Sequence, residues 1–197
     1  MPFRAFWKKI GDGGLKCGFI EAVPGRHGWV MRIRAYEPSD RGACLAVFAS
    51  NTPDFFLPEE ERLFARFLDR LPGPYLVAEE GTTILGCGGY AVNPGIGAAD
   101  LCWGMVTRAC HRRGLGRALL LARLARIAGH CEAVVVRLET SQHSRAFFER
   151  EGFAVREVIP DGYGADLHRC KLDLILDGTR RAEWVRRWAE QQVNWAE

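Results

Sequence analysis

Two hydrophobic periods take turns along this chain. Residues 1–30 follow neither: Gly11, Gly13, Gly14, Gly18, Gly25 and Gly28 interrupt Phe3, Phe6, Trp7, Phe19 and Trp29, which predicts an irregular N-terminal extension with apolar surface to bury. From Met31 the pattern becomes regular. Arg32–Tyr36 reads as a strand, and Pro38-Ser39 opens a helix through Cys44, Leu45, Val47 and Phe48, with Ser39 as its expected N-cap. Pro58-Glu59-Glu60-Glu61 starts a second helix with acid at its positive end, and Leu63, Phe64, Phe67, Leu68 and Leu71 form one apolar stripe. Tyr75–Glu80 and Thr83–Val92 form an antiparallel hairpin around Gly81-Thr82, which Asn93-Pro94-Gly95 ends. A strand over Ala99–Thr107, a helix over Gly114–Gly129 and a β-branched strand over Ala133–Thr140 follow. Ser144–Glu151 is a short helix closed by Gly152, and Phe153–Ile159 pairs with Leu167–Leu176 around Asp161-Gly162-Tyr163-Gly164. Thr179–Trp195 is a terminal amphipathic helix, with Trp184 and Trp188 one turn apart to dock it on the domain.

This order predicts an α/β fold: a mixed, mostly antiparallel central sheet of about seven strands with flanking helices, plus an N-terminal extension and a C-terminal helix. The expected division is 1–30 extension, 31–177 domain proper and 178–197 terminal helix. The 197 residues suffice for one such core. A homodimer formed by strand exchange or through Trp184, Trp188 and Trp195 stays open.

Composition narrows the function classes. Hydrophobic residues at 48% and charged ones at 26% are those of a globular protein, and a net charge of +3 suits an anionic ligand but is too small to argue for nucleic acid. The cysteines, at 17, 44, 87, 102, 110, 131 and 170, have no metal-type spacing, so no metal is expected. Scattered through apolar segments, they read as reduced thiols and point to the cytoplasm. No run approaches the ~18 apolar residues of a membrane span, and residues 1–30 lack a signal-peptide core, so no membrane partner is expected.

The densest chemical signal is the loop from His111 to Ala118. A strand runs into His111-Arg112-Arg113, then Gly114-Leu115-Gly116, then Arg117-Ala118 at a helix start. Free N–H groups of a first helical turn, the helix dipole and clustered cations make a phosphate site. It is not a P-loop, which needs Lys-Ser/Thr after the second glycine where Arg117-Ala118 stands. It is not a dinucleotide fingerprint either: Leu119 stands where Gly or Ala is required, and four elements precede the loop. A nicotinamide-dependent oxidoreductase is therefore a distant alternative.

Arg112-Arg113-Gly114-Leu115-Gly116, with Val106 ending the strand before it, resembles the acetyl-CoA signature of the GNAT superfamily of N-acetyltransferases, with His111 where Gln or Arg is usual. Phe147-Phe148-Glu149-Arg150-Glu151-Gly152-Phe153 is similar to a second segment of that family, and the resemblance spans Met31 to Leu176. It implies direct transfer of acetyl from acetyl-CoA to a primary amine of a small molecule or protein. It also implies that two strands splay around the pantetheine arm, with Met105, Val106 and Thr107 on one side and Leu138–Ser141 on the other, and that amides from Arg112 to Ala118 cradle the pyrophosphate.

An acceptor amine with a pKa of about 10.4 needs about 4–5 kcal/mol to lose its proton at pH 7, so a base is useful. Asp100 is the first choice by position and Glu139 the second, with Cys102, Glu79 and Glu80 also near the expected pocket. Phe148 stands where many family members have a tyrosine acid, and phenylalanine has no proton to give. Tyr163 is the replacement candidate for protonating the thiolate and for lining the substrate site, together with Phe55 and Phe56 of the loop between the first two helices. Phe148 also motivates the rival reading, a catalytically weak or silent acetyl-CoA-binding regulatory module.

Overall fold

The computed structural model describes residues 21–24 and 30–196, with side chains from 31 to 191. A single sheet runs in the order β1 (Glu21–Pro24), β2 (Val30–Ala35), β3 (Tyr75–Glu80), β4 (Thr83–Asn93), β5 (Ala98–Val106), β6 (Val135–Ser141), β8 (Leu167–Ile175), β7 (Ala154–Gly164). All neighbours are antiparallel except β5 and β6, which the helix α3 (Leu115–His130) connects. The seven strands from Val30 onward are those the pattern predicts. The eighth, β1, lies within the stretch read as irregular and pairs Glu21 with Ile33 of β2. The other features expected of residues 1–30, Trp29 included, lie outside the described residues.

Helices α1 (Arg41–Ala49) and α2 (Glu61–Asp69) cover one face of β3–β5, where Cys44, Val47, Phe48, Phe64 and Leu68 bury against Tyr75, Val77, Cys87 and Met105. The opposite face is covered by α3, α4 (Gln142–Arg150) and α5 (Gly178–Ala196). Helix α3 is apolar nearly all round because it is sandwiched: Leu119, Leu124 and Ile127 are buried, and α5 seals it with Trp184 and Trp188. Arg181 of α5 donates to the carbonyls of Ala128, Cys131 and Ala133 at the end of α3. Trp184 and Trp188 are thus used inside the chain, whereas the side chain of Trp195 lies outside those described.

Three local expectations change. Ser39 does not cap α1: Asp40 holds the N-cap position without a side-chain bond to the helix, and its carboxylate instead accepts the Glu37 N–H at 2.8 Å while Arg34 grips it at 2.6 and 2.9 Å. Tyr163 is not in a tight turn. Strand β7 continues to Gly164 with an irregular register after Ile159, and the reversal falls at 165–166. The third change shapes the site: β5 carries a bulge. Cys87 pairs with Met105 but Gly89 pairs with Cys102, so Trp103 and Gly104 together face Gly88, and Trp103 takes a left-handed φ of 41°. Trp103 is held there by Phe48, Phe56, Phe64 and Phe67 and by the Tyr75 hydroxyl, which donates to its carbonyl at 3.0 Å.

Candidate active site

The bulge accompanies an opening in the sheet. Strands β5 and β6 pair only at Ala98–Val135, Ala99–Val136 and Asp100–Arg137, yet β5 runs on to Val106 and β6 to Ser141. Past Asp100 the two strands diverge, each still bonded on its outer side, to β4 and β8. Because the Thr107 N–H donates to Leu85 on β4 at 2.7 Å, strand alternation turns the main-chain groups of Val106 to the open edge. The Val106 carbonyl there accepts from Asn51 Nδ2 at 2.9 Å and His111 Nε2 at 3.0 Å, so that ring nitrogen carries a hydrogen. Of the main-chain groups at Val106 and Thr107, the Val106 N–H is the donor left facing the cleft.

At the top of the cleft, the loop before α3 turns its amides outward. Ala118 is the first residue of the helix bonded back, to Gly114 at 3.0 Å, and the amides from Arg112 to Arg117 have no acceptor among the described residues. Arg112 at φ 61° and Gly114 at φ 88° make the turn, which explains glycine at 114. A Cβ at Gly116 would meet only Val106 Cγ2 at 3.8 Å, so its neighbours do not require glycine, and the missing side chain leaves the approach to these amides open. Arg112 and Arg113 are exposed beside these amides, and the nearby acid, Glu151, is already bound by Arg117 at 2.8 Å and Arg187 at 2.9 Å. Amides without an acceptor among the described residues, two exposed arginines and a nearby carboxylate already paired fit a diphosphate.

On the α1–α2 face the helices stop at β5, and the strands beyond carry charge. Asp100, Arg137, Glu139, Arg169, Lys171 and Asp173 alternate with the core residues Val136, Leu138, Cys170, Leu172 and Leu174. Burial raises the Asp100 carboxyl, with Arg137 opposing and Glu139 and Asp173 adding to it. The Tyr163 hydroxyl is likewise raised by burial, and by Glu139 and Glu60, so it stays protonated at neutral pH. Glu139 thus acts on both Asp100 and Tyr163, and the three candidates share one strip from the floor of the cleft to the start of α2. The last hairpin and the loop before α2 meet where Gly164 lies near Leu57.

The remaining candidates divide. Phe56 packs into the core against Phe48 and Trp103, whereas Phe55 faces His111 at 5.2 Å and His143 at 6.2 Å, with Arg108 over its ring. Glu79 is bound by Arg34 at 2.8 Å and Arg32 at 3.5 Å. Cys102 is pushed up to about 12 by burial. Phe148 packs on Phe147 and Phe153. Asn51 was not anticipated: a polar residue just past an amphipathic helix reads as an ordinary helix end, and only the fold brings it to Val106.

A sheet opened between a parallel pair, with an amide cradle at its mouth, defines the acyl-CoA N-acyltransferase class of fold. The family model described as acetyltransferase (GNAT) family matches residues 44–153, and the chain belongs to that family. A protein of Desulfovibrio desulfuricans described as an acetyltransferase of the GNAT family is 26% identical, with a TM-score of 0.64 over 74% of this chain and 98% of that one. A Salmonella typhimurium protein described as an acetyltransferase, solved with its cofactor acetyl-CoA, is 24% identical (TM-score 0.58; 75% and 94% covered). The ribosomal-protein-S18-alanine N-acetyltransferase of Escherichia coli is 18% identical (TM-score 0.64; 75% and 96% covered) and shares the fold. No curated protein matches the chain. Among the described residues no helix is long and apolar enough to cross a membrane, and no side-chain cluster is suited to a metal.

Proposed function

We propose that this protein moves acetyl from acetyl-CoA to a primary amine of a small molecule or protein by direct attack, in the cytoplasm, the compartment that suits its free thiols. The observation that carries the reading is the opening of the sheet past Asp100, which joins the amide cradle on one side to the titratable strip on the other. The donor supplies an activated acyl group on sulfur, and acetyl-CoA bound to the Salmonella neighbour supports that choice.

The chain's own residues divide the work. The amides from Arg112 to Arg117, with Arg112 and Arg113, hold the diphosphate; the Val106 N–H orients the arm entering the cleft. Asp100, whose proton affinity burial raises and Glu139 raises further, takes a proton from the acceptor ammonium, directly or through water, and so frees the lone pair that attacks. Tyr163 keeps its proton and gives it to the departing sulfur, the role Phe148 has no group to fill. Phe55 lines the passage beside His111. The test is release of free thiol on mixing acetyl-CoA with amines, polyamines, amino acids and peptides. Turnover with at least one amine is expected; acetyl-CoA binding without turnover across the panel would favour the regulatory-module reading.

A further inference from the structure

Three charged side chains are buried in the described core, and two of them, Asp40 and Glu79, are paired with Arg34, Glu79 also with Arg32. The third is Arg123 of α3, 4% exposed, with no ion pair among the described residues. Its Nε donates to the Leu119 carbonyl at 3.1 Å, and its two terminal nitrogens have no hydrogen-bond acceptor there. They lie against the bulge. A Cβ at Gly104 would fall 2.7 and 2.9 Å from them, and one at Gly88 would fall 3.1 Å from the nearer. Two facing strands are therefore hollowed to admit this guanidinium. Burial pushes it down to about 10, which leaves it charged at neutral pH.

A buried charge is costly unless something of opposite sign answers it. Here no carboxylate does so, and the charge stands behind Gly104, in the stretch of β5 that β6 has left. Counting back from Val106 through Met105, the same alternation turns the Gly104 carbonyl, on the near side of the bulge, to the cleft. In the reaction proposed above, on which this inference rests, the amine nitrogen bonds to the acyl carbon, the carbon–sulfur bond breaks, and its electron pair stays on sulfur. We propose that Arg123 is a positioning residue for this step, holding a fixed positive charge behind the open edge of β5 that favours the departing thiolate. It neither gives nor takes a proton, and it acts across the Gly104 peptide rather than by contact.

The test is titration of the thiol of bound CoA, followed by thiolate absorbance, in the wild type, Arg123→Met and Arg123→Lys, alongside kcat and KM. In the wild type the bound thiol should ionise at least about one pH unit below that of Arg123→Met, equivalent to a tenfold difference. Arg123→Lys should recover most of the shift, and kcat should fall about tenfold in the Met variant with KM for acetyl-CoA little changed. Equal titration in wild type and Met variant overturns the proposal while leaving the acetyltransferase reading intact. CoA failing to bind the wild type overturns both. Should the Met variant not fold, Gly104→Ala decides: its Cβ displaces the guanidinium, so the bound thiol should titrate higher, and an unchanged titration rejects the role.

Discussion

Asp100 and Tyr163 are both shifted by burial, and in each case the shift suits a role. A carboxyl with raised proton affinity is a stronger base, and a phenol raised above its ordinary value keeps its proton to give. Asp100→Asn should lower kcat/KM by about two orders of magnitude and remove the acidic limb of its pH profile. The linkage carries a sign. A carboxyl whose folded value is raised favours folding below its unfolded pKa, and loses that advantage as pH rises through the folded one. At pH 7, above the unfolded pKa, the raised Asp100 is thus a burden, and Asp100→Asn should melt no lower than wild type while being far less active. Tyr163→Phe should lower kcat with KM for acetyl-CoA nearly constant; an unchanged kcat would remove Tyr163 from the mechanism. At this scale the sequence exposed what chemistry marks by type: acids and a tyrosine near a recognisable loop. It concealed Asn51 and Arg123, because an asparagine past a helix and an arginine in a basic helix have ordinary explanations until Val106 and Gly104 are placed beside them.

Among the elements, periodicity locates seven of the eight strands and the five α-helices because each buries one face or stripe, and misses β1 among the glycines of the N-terminal stretch. Positions where backbone geometry departs from the period were harder to read. Gly88, Gly89 and Gly104 within strand patterns were the available signal for the bulge, since glycine inside a strand marks a close approach or an extra residue. The end of β7 departs from the pattern: Asp161-Gly162-Tyr163-Gly164 has turn composition, yet it continues the strand with Asp161 left-handed at φ 53°. The terminal helix illustrates packing that the pattern did forecast. Trp184 is 3% exposed against α3, with the Arg187 guanidinium 4.1 Å from its ring centroid. Trp184→Ala should cost about 3–5 kcal/mol, read as a lower denaturant midpoint. A loss near zero would mean that α5 is not docked in solution.

Across the whole molecule, the proposed donor and acceptor functions fall on different elements that meet at the opened strands. The unpartnered amides belong to the loop before α3, while the proposed base and acid, Asp100 and Tyr163, belong to β5 and β7. Binding and chemistry should therefore be separable by mutation. A ligand that binds only the folded state stabilises it, by about 2.7 kcal/mol at a hundredfold excess over Kd, which for a domain of this size raises Tm by roughly 5–10 °C. CoA should give that shift in the wild type and equally in Asp100→Asn and Tyr163→Phe, whose substitutions lie on the acceptor side. Gly116→Leu should do the reverse. Its Cβ makes one ordinary contact, 3.8 Å from Val106 Cγ2, and leucine favours the helix by up to about 1 kcal/mol over glycine. The free protein should thus melt at or above the wild-type temperature, yet show no shift with CoA, because the added bulk occupies the approach to the amides. Retention of the CoA shift in Gly116→Leu would place the diphosphate elsewhere and detach the cradle from the cleft that β5 and β6 open.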